Sequence, residues 1–380
     1  MPSVEKIAKI LQNVWVILAV VILGFTARMW MATLGHNYDM DSWYIIADIA
    51  HHGGNVYAET TRYNYGPVWF YIVHLLDVLS GHNRELLRYS ISAFLSLVDV
   101  GLLFYLSRRV GPIAGVLYFL NPISIIVSGY HCQFDNLAIL LGLWSVQLLG
   151  DDFDQPLNRR KMAGLVLLGL SLIVKHLLFV FPLWLALKQK GFARKMVVLL
   201  VPMGCFLFSF VPYWAGGHRG IIHNVFLFND YQCAYFYHIC VPVCIQSVWD
   251  SRMFWYAVLV IFAFKCRPRN SFESLLIYTG VLVAFSSRTV NEYFAIPVVL
   301  VAVYPSVPFA IFTGMATIHL LMDHTNGPPV WISLRGTGWD IWAIIGLAVA
   351  VVWHVWRPSW IWLVQKICQE VALQFGRSPE

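Results

Sequence analysis

The chain has 380 residues, of which 59% are hydrophobic and only 12% are charged, and its mean hydropathy is +0.65. A soluble domain has about a quarter of its residues charged, so this composition excludes an ordinary soluble globular protein and indicates a polytopic membrane protein of the all-α class. The net charge of +6 is spread over short basic clusters between apolar runs, which is typical of membrane topology signals and does not favour nucleic acid as a partner.

Apolar runs near 20 residues mark candidate transmembrane helices. We predict about twelve, at residues 11–34, 91–107, 112–129, 134–150, 162–174, 177–187, 196–214, 253–265, 272–286, 293–304, 307–321 and 339–356. The two runs on either side of Lys175-His176 are short, and they fit as spans only if that pair lies in a water-filled recess. A further run, 68–80, follows Tyr65-Gly66-Pro67 and is also short.

The basic clusters indicate how the chain crosses the membrane. If 68–80 does not span, Arg108-Arg109 and the later basic clusters fall on the same side as Lys6 and Lys9, whereas they fall on the opposite side if it does. The positive-inside rule favours the first case. This topology predicts one transmembrane domain at 1–358, a long first external loop at 35–90 with helices lying in the membrane, and a cytoplasmic interfacial helix and tail at 359–380.

The polar residues that interrupt the apolar pattern collect on the non-cytoplasmic side of this topology. The candidates among them are Asp39, Asp41, His131, Gln133, Asp135, Lys175, His176, Arg288, Asn291 and Glu292. Because these residues were not used to orient the chain, their collection on one face supports a functional site there.

Asp39 and Asp41 follow the first apolar run, where a membrane helix meets water. A carboxylate in a cavity of low dielectric constant has a raised pKa and can act as a general base. The alternative is that the two acids cap a helix or carry solvated loop charge. A divalent cation between them is also open, although neighbouring His and Lys groups would serve equally well.

The stretch from Tyr130 to Asn136 forms a tight polar hairpin between two apolar runs, and such groups are costly in a membrane unless they bind something. We expect Asp135 or Asn136 to cap the following helix, which leaves His131 and Gln133 to reach a ligand. The alternative is a turn whose polar groups satisfy one another.

Lys175, with His176 beside it, interrupts a long apolar stretch and is therefore paired or functional. A lysine that faces a recess suits a phosphate group. The alternative is a salt bridge to Asp39, Asp41 or Asp135.

Arg288, Asn291 and Glu292 lie between two later apolar runs. Arg288 can contact a phosphate with two hydrogen bonds, and Glu292 can orient it or bind a sugar hydroxyl. The alternative is a local Arg288–Glu292 pair at i, i+4.

In these residues the chain resembles the GT-C superfamily of polyprenyl-phosphate-sugar-dependent glycosyltransferases, most closely the glucosyltransferases that use dolichyl-phosphate glucose in the lipid-linked N-glycan pathway. The motifs that carry the resemblance are, in order, Asp39-Met40-Asp41, Tyr65-Gly66-Pro67, Asn121-Pro122, His131-Cys132-Gln133-Phe134-Asp135-Asn136, Lys175 and Val290-Asn291-Glu292. They cover roughly residues 10–300.

The resemblance implies an inverting transferase that moves a hexose, glucose or mannose, from a polyprenyl-phosphate donor to the hydroxyl of a lipid-linked or glycan acceptor outside the cytoplasm. It implies Asp39 as the general base and Asp41 as a positioning group. The other eight candidates would bind donor phosphate and sugar. A transporter of lipid-linked sugars and a non-catalytic scaffold subunit are the alternatives.

The compartment is expected to be a bacterial inner membrane, with the site on the periplasmic side. The chain has no Asn-x-Ser/Thr sequon, which favours this slightly over the endoplasmic reticulum. Membrane lipids are the expected surroundings in either case.

Overall fold

The computed structural model describes residues 10–11, 13–153, 155–227, 248–286, 290–323, 327–328 and 339–374, with the backbone alone at 248–252 and 357–374. Every regular element in these ranges is helical and none is a β-strand, so the predicted all-α class is confirmed. The α-helices in the described ranges are α1 (Val14–Thr33), α2 (Tyr38–His51), α3 (Val56–Glu59), α4 (Pro67–Leu79), α5 (Arg84–Arg109), α6 (Pro112–Phe119), α7 (Pro122–Ile126), α8 (Asp135–Leu149), α9 (Arg159–Val174), α10 (Phe181–Lys188), α11 (Phe192–Phe208), α12 (Trp214–Gly220), α13 (Val248–Lys265), α14 (Ser271–Ala284), α15 (Val298–Val303), α16 (Val307–Met322) and α17 (Trp339–Gln374).

Local sequence explains where many of these helices begin. An asparagine side chain accepts a hydrogen bond from a backbone N–H in the first turn of each of seven helices, and this is a preferred N-cap arrangement. These residues are Asn13, Asn37, Asn55, Asn83, Asn121, Asn158 and Asn270. The predicted cap at α8 is wrong: Phe134 precedes that helix and no side chain caps it, because Asp135 instead pairs with Lys175.

Helix length supports a membrane protein but does not confirm the count of about twelve spans. In the described part of the chain, four helical stretches are long and apolar enough to cross, namely Val14–Thr33, Arg84–Arg109, Phe192–Phe226 and Trp339–Trp356. A bent pair, Pro112–Phe119 with Pro122–His131, makes a fifth if it counts as one span. Most of the other predicted spans form apolar helices of 10–17 residues, which are shorter than a hydrocarbon core of about 30 Å.

The structure describes the backbone at the short apolar run 68–80 and at the predicted domain boundary 358/359. The stretch 68–80, which we predicted to lie in an external loop, corresponds to α4, a helix of 13 residues whose Tyr71, Leu75 and Leu79 side chains are exposed. At the other end, α17 continues through the predicted boundary at 358/359. The backbone is therefore helical on both sides of this boundary, and the cytoplasmic interfacial helix and tail at 359–380 stay a prediction.

A fully buried ion pair joins α1 to α5 inside the helix bundle. Arg28 Nε lies 2.9 Å from Asp99 Oδ2, and both side chains are 0% exposed. The guanidinium also donates to the carbonyl of Phe119 and to Ser124 Oγ, while Tyr118, Ser128 and Asn136 donate to the Asp99 carboxylate. Because its partners surround it, this cluster has a structural role, and sequence analysis missed it inside two apolar runs.

The start of α4 crosses the end of α9 at very short range. A Cβ atom on Gly66 would lie only 2.0 Å from the carbonyl oxygen of Ile173, so only glycine fits here. Tyr65 and Lys175, which flank this contact, are thereby brought together, with Lys175 Nζ 5.2 Å from the centre of the Tyr65 ring.

Candidate functional site

Asp39 lies in the first turn of α2, and the preceding asparagine holds it in place. Asn37 Oδ1 caps the helix by accepting the backbone N–H of Asp39, and Asn37 Nδ2 lies 3.2 Å from Asp39 Oδ2. The same carboxylate oxygen accepts a 2.7 Å hydrogen bond from Gln133 Nε2. Asp39 is partly exposed, whereas Asn37 and Gln133 are buried.

A left-handed turn in the polar hairpin brings His131 and Gln133 to Asp39. A π-helical turn, Val127–His131, ends at Cys132, whose φ is +52°. Trp43 of α2 donates from Nε1 to the Cys132 carbonyl at 3.2 Å. The turn therefore packs against the helix that carries Asp39.

Lys175 enters the site from the end of α9. The helix ends at Val174, and Lys175 continues in an extended conformation. Its Nζ donates to Asp135 Oδ2 at 2.8 Å and to Gln133 Oε1 at 3.1 Å, and the residue is 4% exposed. Of the alternatives left open by the sequence, the salt bridge to Asp135 is the one found.

Glu292 reaches the same cluster from a short 3-10 helix, Asn291–Ala295. Its Oε1 accepts from Asn37 Nδ2 at 3.1 Å and lies 3.4 Å from His131 Nδ1. The contacts therefore form one network that runs from Glu292 through Asn37 and Asp39 to Gln133 and Lys175.

His131 Nδ1 has two polar neighbours, Asn37 Nδ2 at 2.8 Å and Glu292 Oε1 at 3.4 Å. The amide group donates to this nitrogen and the carboxylate accepts from it, so the role of Nδ1 depends on the tautomer. The other ring nitrogen, Nε2, is buried and has no hydrogen-bond partner among the described residues. Nε2 is therefore available to a polar atom of a ligand.

The environment of Asp39 makes its carboxyl group a weak acid. Burial, and next the negative charge of Glu292, raise the pKa of Asp39 to about 7, while His131 and Lys175 oppose this shift. A carboxyl group with a pKa near 7 is suited to accept a proton in neutral solution.

The network contains six of the predicted site residues, but Asp41 and Asn291 lie elsewhere. The Asp41 side chain is 48% exposed and faces His36 at 4.0 Å. Asp39 and Asp41 leave the helix in different directions, because residues i and i+2 of a helix diverge by about 200°. Asn291 instead contacts His319 and Asp323.

The last two predicted residues have different outcomes. His176 lies beside the network, with its ring 6.5 Å from that of Tyr65, and its buried Nδ1 has no hydrogen-bond partner within the described part of the chain. Burial and the Lys175 charge lower the pKa of His176 to about 4, so the ring is neutral at neutral pH. Arg288 lies outside the described residues.

Sequence reasoning missed two contributors to the site. Asn37 contacts Asp39, His131 and Glu292 together, although its sequence signal, an asparagine before a helix, indicates only a cap. Tyr65 packs against Phe134 with ring centres 4.9 Å apart and against the Lys175 ammonium.

Comparison of the chain with protein-family models, curated proteins and solved structures finds no match.

Proposed function

We propose that the protein is an integral-membrane inverting glycosyltransferase that uses a polyprenyl-phosphate sugar. The observation that carries this proposal is the position of Asp39. It is the partly exposed member of a network whose other members, Asn37, His131, Gln133, Asp135, Lys175 and Glu292, are buried. An acceptor hydroxyl can therefore approach a carboxylate that is poised to take its proton.

In the proposed reaction the acceptor oxygen attacks the anomeric carbon of the donor sugar. A new carbon–oxygen bond forms on one face while the bond from that carbon to the phosphate oxygen breaks on the other. The electron pair leaves with the polyprenyl phosphate, and the hydroxyl proton passes to Asp39. Attack opposite the leaving group inverts the anomeric centre.

The neighbouring groups have supporting roles in this scheme. Gln133 and Asn37 hold Asp39 through hydrogen bonds to its Oδ2. Lys175 donates to Gln133 and forms a salt bridge with Asp135. We therefore propose a positioning role for Lys175, in place of the phosphate contact predicted from the sequence.

Contacts to the sugar-donor substrate come from groups that can form a further hydrogen bond or ion pair. Nε2 of His131 has no hydrogen-bond partner among the described residues and can bind a polar group of the sugar or phosphate. Arg288 remains the predicted phosphate ligand. Asp41, at the exposed edge of the same helix, would position the acceptor or the sugar.

We also propose that the chain crosses a bacterial inner membrane about twelve times and carries the site on the extracytoplasmic side. The acceptor in this proposal is lipid-linked or a glycan. The buried network supports a polar substrate because polar groups of this number are expensive in a membrane protein unless they bind something.

The test compares purified wild type with Asp39→Asn in detergent, supplied with short-chain polyprenyl-phosphate sugars and a membrane lipid extract as acceptor. We expect release of polyprenyl phosphate by wild type and a loss of about 10²–10⁴-fold in Asp39→Asn, with donor affinity nearly unchanged. Asp48→Asn is the matched control, because it removes the same charge from the same helix at a side chain that is 74% exposed.

Two results would overturn the proposal. If Asp39→Asn keeps the wild-type rate, the general-base role is wrong. If wild type binds donors without releasing polyprenyl phosphate from any of them, and moves them across a liposome membrane, the protein is a transporter.

A further inference from the structure

Three side chains from separate parts of the external-loop region meet at the end of α2 that is remote from Asp39. They are His51, the last residue of α2; Asp77, in α4; and His82, in the turn before α5. One ligand atom from each lies within 4.8 Å of the ligand atoms of the other two. His82 Nδ1 is 2.7 Å from Asp77 Oδ2, and the rings of His51 and His82 have centres 4.0 Å apart.

The backbone adopts an unusual conformation to bring His82 to this position. Among the described residues, the two non-glycine residues with positive φ are His82, at 60°, and Cys132, at 52°. Gly81 before it also has positive φ, and the His82 N–H donates to the Asp77 carbonyl at 3.0 Å. Backbone strain of this kind concentrates at functional sites, and Cys132 lies in the candidate active site.

The Asp77 side chain is 9% exposed, while both histidines are exposed. A carboxylate in such a position needs a compensating partner, and the structure provides two imidazoles on its exposed side. Imidazole with carboxylate is a ligand set for zinc, whereas magnesium and calcium prefer oxygen ligands.

We propose that His51, Asp77 and His82 bind one Zn²⁺ ion. Zinc bonds of about 2.0–2.1 Å in a tetrahedral site place ligand atoms roughly 3.3 Å apart, so small side-chain rotations bring the cluster to this spacing. The ion replaces the hydrogen bond between His82 and Asp77, and water occupies the fourth position.

This site is separate from the candidate active site. Asp39 and His51 are twelve residues apart on α2, which corresponds to about 18 Å along the helix axis. A bound ion joins the end of α2 to α4 and to the turn that leads into α5. A bound zinc ion therefore restrains the helix that carries Asp39 without contacting Asp39 itself.

The test uses the full chain without a histidine tag, purified in detergent, stripped with EDTA and titrated with ZnCl₂ in a calorimeter. We expect one zinc per chain for wild type, and affinity at least tenfold weaker for His51→Gln and for His82→Gln. His52→Gln is the matched control, because it removes an adjacent histidine whose side chain is 72% exposed, and it should bind as wild type does. MgCl₂ should give no comparable binding.

A second measurement distinguishes loss of the site from loss of the fold. Co²⁺ in place of Zn²⁺ should give the visible absorption of a tetrahedral site in wild type and His52→Gln. This absorption should disappear in His51→Gln, whose substituted side chain is exposed and whose helix content should be unchanged. Equal zinc affinity in wild type and His51→Gln, or the same loss in His52→Gln, would overturn the proposal.

Discussion

Replacing Glu292 with glutamine tests whether the buried network sets the proton affinity of Asp39. Asn37 Nδ2 lies 3.2 Å from Asp39 Oδ2 and 3.1 Å from Glu292 Oε1, so the two carboxylate oxygens are at most about 6.3 Å apart. Glutamine keeps an oxygen that can accept the hydrogen bond from Asn37, removes the negative charge and replaces the second oxygen by an amide donor. Ionised Asp39 then loses a repulsive neighbour, and its pKa should fall below the wild-type value of about 7.

The size of this change can be bounded from the distance. At this largest separation of about 6.3 Å, two unit charges repel by roughly 2.6 kcal/mol at an effective dielectric constant of 20 and by roughly 0.7 kcal/mol in bulk water, and a shorter distance increases both values. These values correspond to about 2 and 0.5 pH units, since one unit equals about 1.36 kcal/mol. Because Asp39 is partly exposed, we expect the midpoint of its titration to fall by about 1 pH unit.

Infrared difference spectroscopy of the purified protein measures this midpoint without a substrate. The protonated-carboxyl band that is lost in Asp39→Asn identifies Asp39, and its disappearance with rising pH gives the midpoint. Asp48→Asn should leave the midpoint at the wild-type value, because this exposed carboxylate is not part of the network. An unchanged or higher midpoint in Glu292→Gln would refute the electrostatic reasoning.

Two further predictions concern stability in detergent. Arg28→Met leaves Asp99 buried without its charge partner and should lower the unfolding free energy by about 3–5 kcal/mol. The double variant Arg28→Met with Asp99→Asn should recover much of this loss. Equal stability of the single and double variants in a denaturant titration would contradict this prediction. Gly66→Ala places a methyl group against the Ile173 carbonyl and should cost about 1–3 kcal/mol or more. Gly204→Ala is the control, because its added methyl group would lie 4.0 Å from its nearest neighbour, Phe208 Cδ2, and it should not lower the melting temperature.

Much of the local structure was predictable because it depends on neighbouring residues. The apolar composition predicted an all-helical membrane-type chain, and asparagines such as Asn37 and Asn121 cap helices as their residue type favours. The stretch around Asp39 was read as a site because two acids at the edge of an apolar run are unusual. His131 and Gln133 were identified for the same reason, as polar groups in an apolar setting.

At other positions a distant partner decides which contacts a side chain makes. Asp135 does not cap α8, since Lys175, forty residues later, offers a charged hydrogen bond. The same pairing uses the ammonium group that the sequence assigned to a phosphate. Asp41 follows Asp39 closely in sequence but is half exposed and outside the network, because helical geometry sends the two side chains in different directions.

The amino-acid sequence by itself determined the helical class, the positions of many helix starts and the polar stretches that stand out from the apolar background. Only the tertiary structure decided which of these polar groups meet. Asn37 joins Glu292 across 255 residues, and Arg28 joins Asp99 across 71. The physical reason is that helix periodicity and capping act over a few residues, whereas the pairing of buried polar and charged side chains depends on how distant helices pack.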